Sequence, residues 1–336
     1  MGLKWYVVRR VAWALVATWF AVSLTFVLLV SSPTPGADAA AAQAASQGLD
    51  PEDARERYLS QRGLDRPIVD QYVDYMTDIF TLDWGYSVSQ EEPVLTAIGE
   101  GWLFSAQYFI PAVFISVIVG YSIGLYSALN QYTFTDYVGS FIAYFGISIP
   151  NFWFAIVLIL VAGVWFQQAE LLGIPLEFLS LRTFYDTGKP IFSVANAKQL
   201  ILPVIVLSTA SIAGQMRYSR AQALEYAESA FVKTARAKGA SEWRILTRHV
   251  LRVALVPLST ILIVDVLAVL FAGSFIIEAI FQIPGLGRLG LTAIQQQDTP
   301  LVLAITLIPV FIAIIGNLLQ DLAYVALDPR IDYGDR

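Results

Sequence analysis

Asp265 is the one charged side chain inside a long apolar run of this 336-residue chain. Proton and sodium carriers place groups of this kind at mid-membrane, so ion coupling is the chemistry Asp265 could serve. An unpaired aspartate at the centre of a membrane helix costs roughly 2.5–3.5 kcal/mol, so it must face protein or water. Two readings stand: a hydrogen bond to a partner helix at a subunit interface, or a place on a translocation path. A proton relay has no second carboxylate to run to. An intramembrane hydrolase would need a nucleophile with a base or two paired aspartates, and no second acid lies in any apolar run. Cysteine is absent and His249 is the sole histidine, so thiolate and histidine-cluster metal sites are excluded and no metal ligand set is expected. A phosphate-binding loop requires Gly-x-x-x-x-Gly-Lys-Ser/Thr. The only Gly-Lys pair, Gly188-Lys189, lacks the upstream glycine and is followed by Pro190. The chain does not hydrolyse ATP by that route, and no catalytic residue is assigned to it.

The elements that must position Asp265 are hydrophobic. Hydrophobic residues make up 57% of the chain and charged ones 14%, with mean hydropathy +0.61, against about 25% charged in soluble domains. About 20 apolar residues span a hydrocarbon core as a helix. Six runs qualify: Val11–Val30, Leu103–Leu129, Val138–Phe166, Leu200–Met216, Val253–Ile277 and Leu301–Leu319. Leu200–Met216 is only marginally long enough. Backbone groups in lipid must pair internally, so these are helices and the fold is all-α. The first run follows Lys4, Arg9 and Arg10, as a secretory signal would, but it exceeds the ~7–15 residues of a signal core and reads as a retained helix.

Charge sets the expected orientation. Basic residues before the first run place the N-terminus in the cytoplasm, and six crossings return the C-terminus there. The segment at about 217–252 carries Arg217, Arg220, Lys233, Arg236, Lys238, Arg244, Arg248 and Arg252 against Glu225, Glu228 and Glu242. The loop at 31–102 has the opposite bias, with only four arginines among many acids, and is expected to form a small external subdomain. There Asp50-Pro51-Glu52-Asp53 reads as a helix start, with a cap, a proline at the first helical position and acids on the dipole. Five lysines in the whole chain and an acidic loop would suit a high-salt habitat. A net charge of −6 argues against nucleic acid as a partner.

The basic segment reads AFVKTARAKGASEWRILTRHVLRVALVP from Ala230. Thr234 to Lys238 favours a short amphipathic helix, Gly239 can end it, and Ser241 with Glu242 can start another. Two short basic helices at the membrane surface are therefore expected. Pro150 removes an amide donor inside the third run and should kink it. Pro284-Gly285-Leu286-Gly287 is turn chemistry followed by a short helix. Glu278 is expected near the outer end of the fifth helix, within reach of water, and His249 among arginines at the cytoplasmic surface.

The order of residues in the basic segment resembles the loop by which permeases of ABC importers dock onto their ATPases. In that pattern Glu-Ala-Ala precedes a glycine, and the matching positions here are Lys233, Thr234, Ala235 and Gly239. Lysine replaces the glutamate, and His249-Val250-Leu251-Arg252 does not match the usual Ile-x-Leu-Pro tail. Both departures fit the dipeptide/oligopeptide/nickel branch. Leu64-Asp65-Arg66-Pro67, Asp83-Trp84-Gly85-Tyr86-Ser87, Ser148-Ile149-Pro150-Asn151-Phe152-Trp153, the stretch from Phe281 to Leu289 and Leu327-Asp328-Pro329-Arg330 resemble further signatures of that branch, in order.

The resemblance implies a type I importer permease with six transmembrane helices and no enzymatic activity of its own. It would lie in the cell membrane and move peptides. Residues 1–30 hold the cytoplasmic end and first helix, 103–326 the five-helix core, and 327–336 a cytoplasmic tail. The docking loop is expected to comprise Lys233, Thr234, Ala235, Arg236, Ala237, Lys238, Gly239, Ala240 and Ser241. A path or gate would draw on Pro150, Asn151, Asp265, Glu278, Pro284, Gly285, Gly287 and Arg288. The implied partners are a second, homologous permease, two ATPase subunits that bind ATP and Mg, an external substrate-binding protein and membrane lipid. The chain itself is expected to bind no cofactor. The rival reading is a gradient-driven carrier using Asp265.

Overall fold

A computed structural model describes residues 3–31, 34–168, 170–171, 174–175, 181, 184–269 and 273–327. Asp328-Pro329-Arg330, the end of one sequence signature, lies outside the described residues. In chain order the helices begin with α1 (Leu3–Ser31), α2 (Pro35–Ser46), α3 (Pro51–Gln61) and α4 (Ile68–Thr81). A two-residue hairpin, β1 (Tyr86–Ser87) with β2 (Glu92–Pro93), leads into α5 (Val94–Leu129). Next come α6 (Phe134–Ser148) and α7 (Asn151–Leu158), which runs through a π-turn at Ile159–Trp165 into α8 (Phe166–Gln168). A second two-residue pair, β3 (Glu170–Leu171) with β4 (Ile174–Pro175), precedes α9 (Val194–Gln199) and α10 (Ile201–Ala227). After α11 (Ala230–Ala237), α12 (Glu242–Arg244) continues through a π-turn, Ile245–Val250, into α13 (Leu251–Val269). The chain closes with α14 (Phe275–Phe281), α15 (Leu286–Gln295) and α16 (Thr299–Leu327).

Among the described residues, four helices are long and apolar enough to cross a membrane. They begin in α1, α5, α7 and α16. Counting each of two bent pairs as one span raises the number to six. One pair is Glu242–Leu255 with Pro257–Ile263, bent by 59°, and the other is Phe275–Phe281 with Leu286–Gln295. The helix α10 is absent from that set, because Ser208, Thr209, Ser211 and Gln215 dilute its apolar half.

Three spans differ in detail from the apolar runs. The run Val138–Phe166 is broken rather than kinked: Ile149 (φ −97, ψ 123) and Pro150 (φ −60, ψ 130) are extended between α6 and α7. The proline ring drives the residue before it out of the helical region, so the first helix ends there. The run Val253–Ile277 divides between α13 and a separate α14 that starts after Ser274. The run Leu200–Met216 continues as helix to Ala227.

Two compact units partition the chain. The smaller contains residues 1–98 and 290–318. In it α4 packs on α1 through Phe26, whose ring lies 5.2 Å from Tyr72 and 5.4 Å from Tyr75. Ser23 and Tyr72 share a hydroxyl hydrogen bond of 2.7 Å, and burial pushes the Tyr75 phenol up to about 12. Asp50 caps α3 by accepting from the Glu52 amide at 2.9 Å, as its sequence indicates. The Trp84 indole is buried, donates to the Ile79 carbonyl at 3.2 Å and meets Phe311 edge-on.

The larger unit, residues 99–289 and 319–332, is built around α10. Glycines bring its neighbours close. A Cβ on Gly120 of α5 would lie 2.9 Å from the Ile212 carbonyl oxygen, one on Gly124 would meet the Arg220 amide at 2.9 Å, and one on Gly146 of α6 would meet the Thr209 carbonyl oxygen at 2.6 Å. Small residues at helix crossings are how membrane helices gain contact where hydrophobic burial supplies little drive.

Candidate functional site

The residues expected to form the docking loop make an exposed knuckle. On α11, Val232 and Ala235 are buried and join Tyr121, Leu125, Ile245 and Leu246 in one apolar cluster. Their three-residue spacing puts both on one face of the helix. The other face carries Lys233, Thr234, Arg236, Ala237 and Lys238 in solvent. Gly239 adopts φ +79, the left-handed conformation, and ends the helix. Its amide bonds the Arg236 carbonyl at 3.0 Å and that of Ala240 bonds the Ala235 carbonyl at 3.1 Å, the paired closure that satisfies a helix C-terminus. Ser241 then caps the next helix, accepting from the Arg244 amide at 3.4 Å. Across this turn Arg236 grips Glu242 with two bonds of 3.0 and 3.1 Å. The hydrogen bonds and charge of Glu242 hold the Arg236 guanidinium above its ordinary value.

The expected second short helix is not separate. α12 runs on through its π-turn into α13, because Ile245, Leu246 and Val250 are buried in the same cluster as Val232 and give the chain no reason to turn away. His249 lies with Thr247, Arg248, Leu251, Arg252 and Leu255 along a groove of about 580 Å³.

The residues expected to form a path or gate fall into separate places within the larger unit. Pro150 precedes α7 and Asn151 begins it. Asp265 is half-buried on α13 and accepts from the Gln215 side-chain amide of α10 at 2.5 Å. Glu278, Gly285, Gly287 and Arg288 come together. Glu278 is fully buried, which corrects the expectation that water reaches it. Its Oε1 accepts from the Ser105 hydroxyl at 2.7 Å, the Tyr108 hydroxyl at 2.9 Å and the Ser274 amide at 3.3 Å, while Oε2 accepts from the Arg288 amide at 2.8 Å. Burial is tolerated because donors surround the carboxylate. α14 ends on Gln282 in the left-handed conformation, φ 58, which aims Pro284 and Gly285 back over Glu278. A Cβ on Gly285 would lie 2.5 Å from the Glu278 carboxyl carbon, and one on Gly287 would lie 2.7 Å from the Ser274 carbonyl carbon. The turn is thus a carboxylate-centred knot fastened to α5, and only glycine leaves room for it.

Asp298, which the sequence did not single out, organises a matching knot in the smaller unit. It is buried, caps α16 through the Leu301 amide at 3.3 Å, and accepts from the Ser87 hydroxyl at 2.6 Å and the Ser89 amide at 2.8 Å. Burial pushes its carboxyl up, but the hydrogen bonds outweigh that and hold it below its ordinary value. The signal available was Asp298-Thr299-Pro300, an acid ahead of a helix-opening proline.

Known proteins resemble this chain over most of its length. The family described as binding-protein-dependent transport system inner membrane component matches residues 120–333. A dipeptide transport system permease protein, DppB of Bacillus subtilis, is 33% identical over 328 residues, 97% of either chain. The oligopeptide transport system permease protein AppB of the same organism is 33% identical over 283 residues, covering 83% of this chain and 85% of its own. DppB of Escherichia coli is 30% identical over 303 residues, 86% of this chain and 88% of its own.

Proposed function

This chain belongs to the binding-protein-dependent transport system inner membrane component family, and from that premise we propose how it works as the permease subunit of an ABC peptide importer. It is an all-α, multi-pass membrane protein of the type I importer permease fold, and it acts with ATPase and substrate-binding partners rather than as an enzyme in itself. The finer assembly we infer is one copy of this chain beside a homologous permease, two ATPase chains on the cytoplasmic side and a binding protein outside. ATP and Mg sit on the ATPases. Both termini face the cytoplasm, following the basic bias of the segment at 217–252.

The observation that carries the coupling step is the knuckle at Lys233–Ser241. It is exposed, closed at Gly239 and clamped by Arg236–Glu242, while Val232 and Ala235 anchor it among α5, α10 and α13. A push on this knuckle moves packed helices rather than a loose loop, because interiors are close-packed and transmit strain. Closure of the ATPases would press here, and alternating access follows from the helices reorienting together. Pro150, where the third run breaks, and the turn Pro284–Arg288 are the places where bending and gating would concentrate. Relatives named for dipeptide and oligopeptide transport support peptides as cargo.

Reconstituting the complete complex in vesicles tests this reading. Uptake of a labelled di- or tripeptide should require ATP, the ATPase chains and the binding protein together. Uptake that persists without ATP and collapses with an ion gradient would overturn it.

A further inference from the structure

Between α6 and α10 the larger unit holds a cavity of about 220 Å³. Arg217 and Arg220 of α10 and Ser140 and Tyr144 of α6 line it, with Met216 and Leu224 supplying apolar wall. No acid is among its lining residues. Asp136, buried at the start of α6, accepts from the Arg220 guanidinium at 3.0 Å and from the Tyr132 amide at 3.0 Å, which fixes Arg220 in place. Among the described residues no carboxylate lies within ion-pair distance of Arg217. The two guanidinium groups thus share one paired carboxylate, and the cavity keeps a net positive charge. The space is several times the roughly 30 Å³ that one water occupies in the liquid. It can also be entered, because Arg217, Ala221 and Tyr144 are exposed along it.

Its place along the helices says which anion it suits. Met216 ends the apolar run of α10 and Arg217 opens the basic segment that follows, so the cavity stands where the helix leaves hydrocarbon. Tyr137, Phe141 and Phe145 of α6 and Tyr218 of α10 are exposed nearby in sequence. Exposed aromatic side chains of this kind are enriched at the membrane–water boundary, the depth at which lipid phosphates lie. Arginine forks match phosphate oxygens, and basic pockets between membrane helices on the cytoplasmic side take anionic headgroups. We propose that this cavity binds the phosphate headgroup of an anionic phospholipid, with Arg217 and Arg220 on the phosphate and the acyl chains along the aromatic face of α6. A zwitterionic lipid offers the same phosphate but brings its own ammonium, which the two arginines repel. The cytoplasmic leaflet follows from the orientation proposed above, and peptide cargo plays no part in the site.

The test uses the chain purified with its partners in mild detergent and stripped of native lipid. Retained lipid is counted by native mass spectrometry after addition of phosphatidylglycerol, or of phosphatidylcholine with the same acyl chains. The unaltered complex should hold phosphatidylglycerol about fivefold more tightly, the effect of one basic residue near anionic lipid. Arg217 is exposed and outside the ion pairs of the described residues, so Arg217→Gln should fold and lose one phosphatidylglycerol per copy of this chain. Arg217→Lys, which keeps the charge without the fork, should lose part of the affinity. Arg244→Gln removes the same charge from α12, at a position that does not line the cavity, and should keep the lipid. Equal retention of the two lipids, retention unchanged in Arg217→Gln, or the same loss in Arg244→Gln would each overturn the site. Displacement of the lipid by inorganic phosphate would overturn it too, by assigning the cavity to a free anion. The transport reading stands or falls on peptide uptake, which none of these counts measures.

Discussion

The hydroxyl of Ser105, in α5, donates to the carboxylate of Glu278, in α14, across 2.7 Å, and the same oxygen accepts the Leu286 amide at 2.9 Å. One small side chain thereby ties a long apolar helix to both limbs of the glycine turn. Because Glu278 collects two hydroxyls and two amides in a dry site, its removal strands three donors at once, the Ser274 amide keeping the Tyr108 hydroxyl at 3.0 Å. Each unsatisfied buried group costs about 1–3 kcal/mol. Glu278→Ala should therefore destabilise the protein by several kcal/mol, of the order that marks an exceptional single mutation. Glu278→Gln, which turns one acceptor into a donor, should cost less. Thermal unfolding of the purified protein measures the order, and equal midpoints for both variants would contradict it.

Glycine spacing in the same turn makes a second prediction. Gly287→Ala would drive a methyl group into the backbone of Ser274 and Phe275, and backbone cannot rotate away. At Gly290 the nearest atom to an added Cβ is the Ile305 Cγ2 at 3.4 Å, an ordinary contact. Gly287→Ala should cut the yield of folded protein sharply, while Gly290→Ala leaves it near wild type. Comparing monodisperse yields on a sizing column decides this.

Asp298 predicts a pH dependence. Its folded carboxyl titrates below the ordinary value of 3.8, so the folded state holds the proton less tightly than the unfolded chain does. Its contribution is complete above about pH 4 and is lost as pH falls through the lower folded value. The acid-induced drop in melting temperature should be shallower in Asp298→Asn, which is less stable at neutral pH by about 1 kcal/mol through its weakened cap. Parallel curves for the two proteins between neutrality and pH 3 would rule the account out.

The Arg236–Glu242 pair is half-exposed on both sides, 49% and 53%. Exposed pairs contribute about 0–1 kcal/mol, so Arg236→Ala should barely move the melting temperature. Its effect should appear instead in coupling: peptide-stimulated ATP hydrolysis by the whole complex should fall while the complex stays folded. A large loss of stability with coupling unchanged would show that the clamp serves folding and not docking.

Much of this was legible in the sequence because apolar length and turn chemistry are local. Asp50-Pro51 announced a capped helix and Gly239 a helix end, and both are there. The branch signatures located the family before any coordinates did. What escaped depended on distant partners. Glu278 resembled a water-facing acid because Ser105 and Tyr108, its donors, lie far back in the chain. Asp298 meets Ser87 across a comparable separation. The close crossing of α5 on α10 was missed, although Gly120 and Gly124 are four residues apart, a spacing that marks helix contact in membranes. Pro150 was read as a kink, and the break followed from the extended conformation that proline also imposes on Ile149.

The most direct test of the central claim is purification of this chain with its native partners in mild detergent, followed by identification of what co-elutes. The account predicts two ATPase chains and a second permease, with the ATPases lost on Gly239→Arg, which forces a bulky cation into a left-handed turn at the knuckle. Recovery of this chain alone, still transporting in vesicles without ATP, would contradict it.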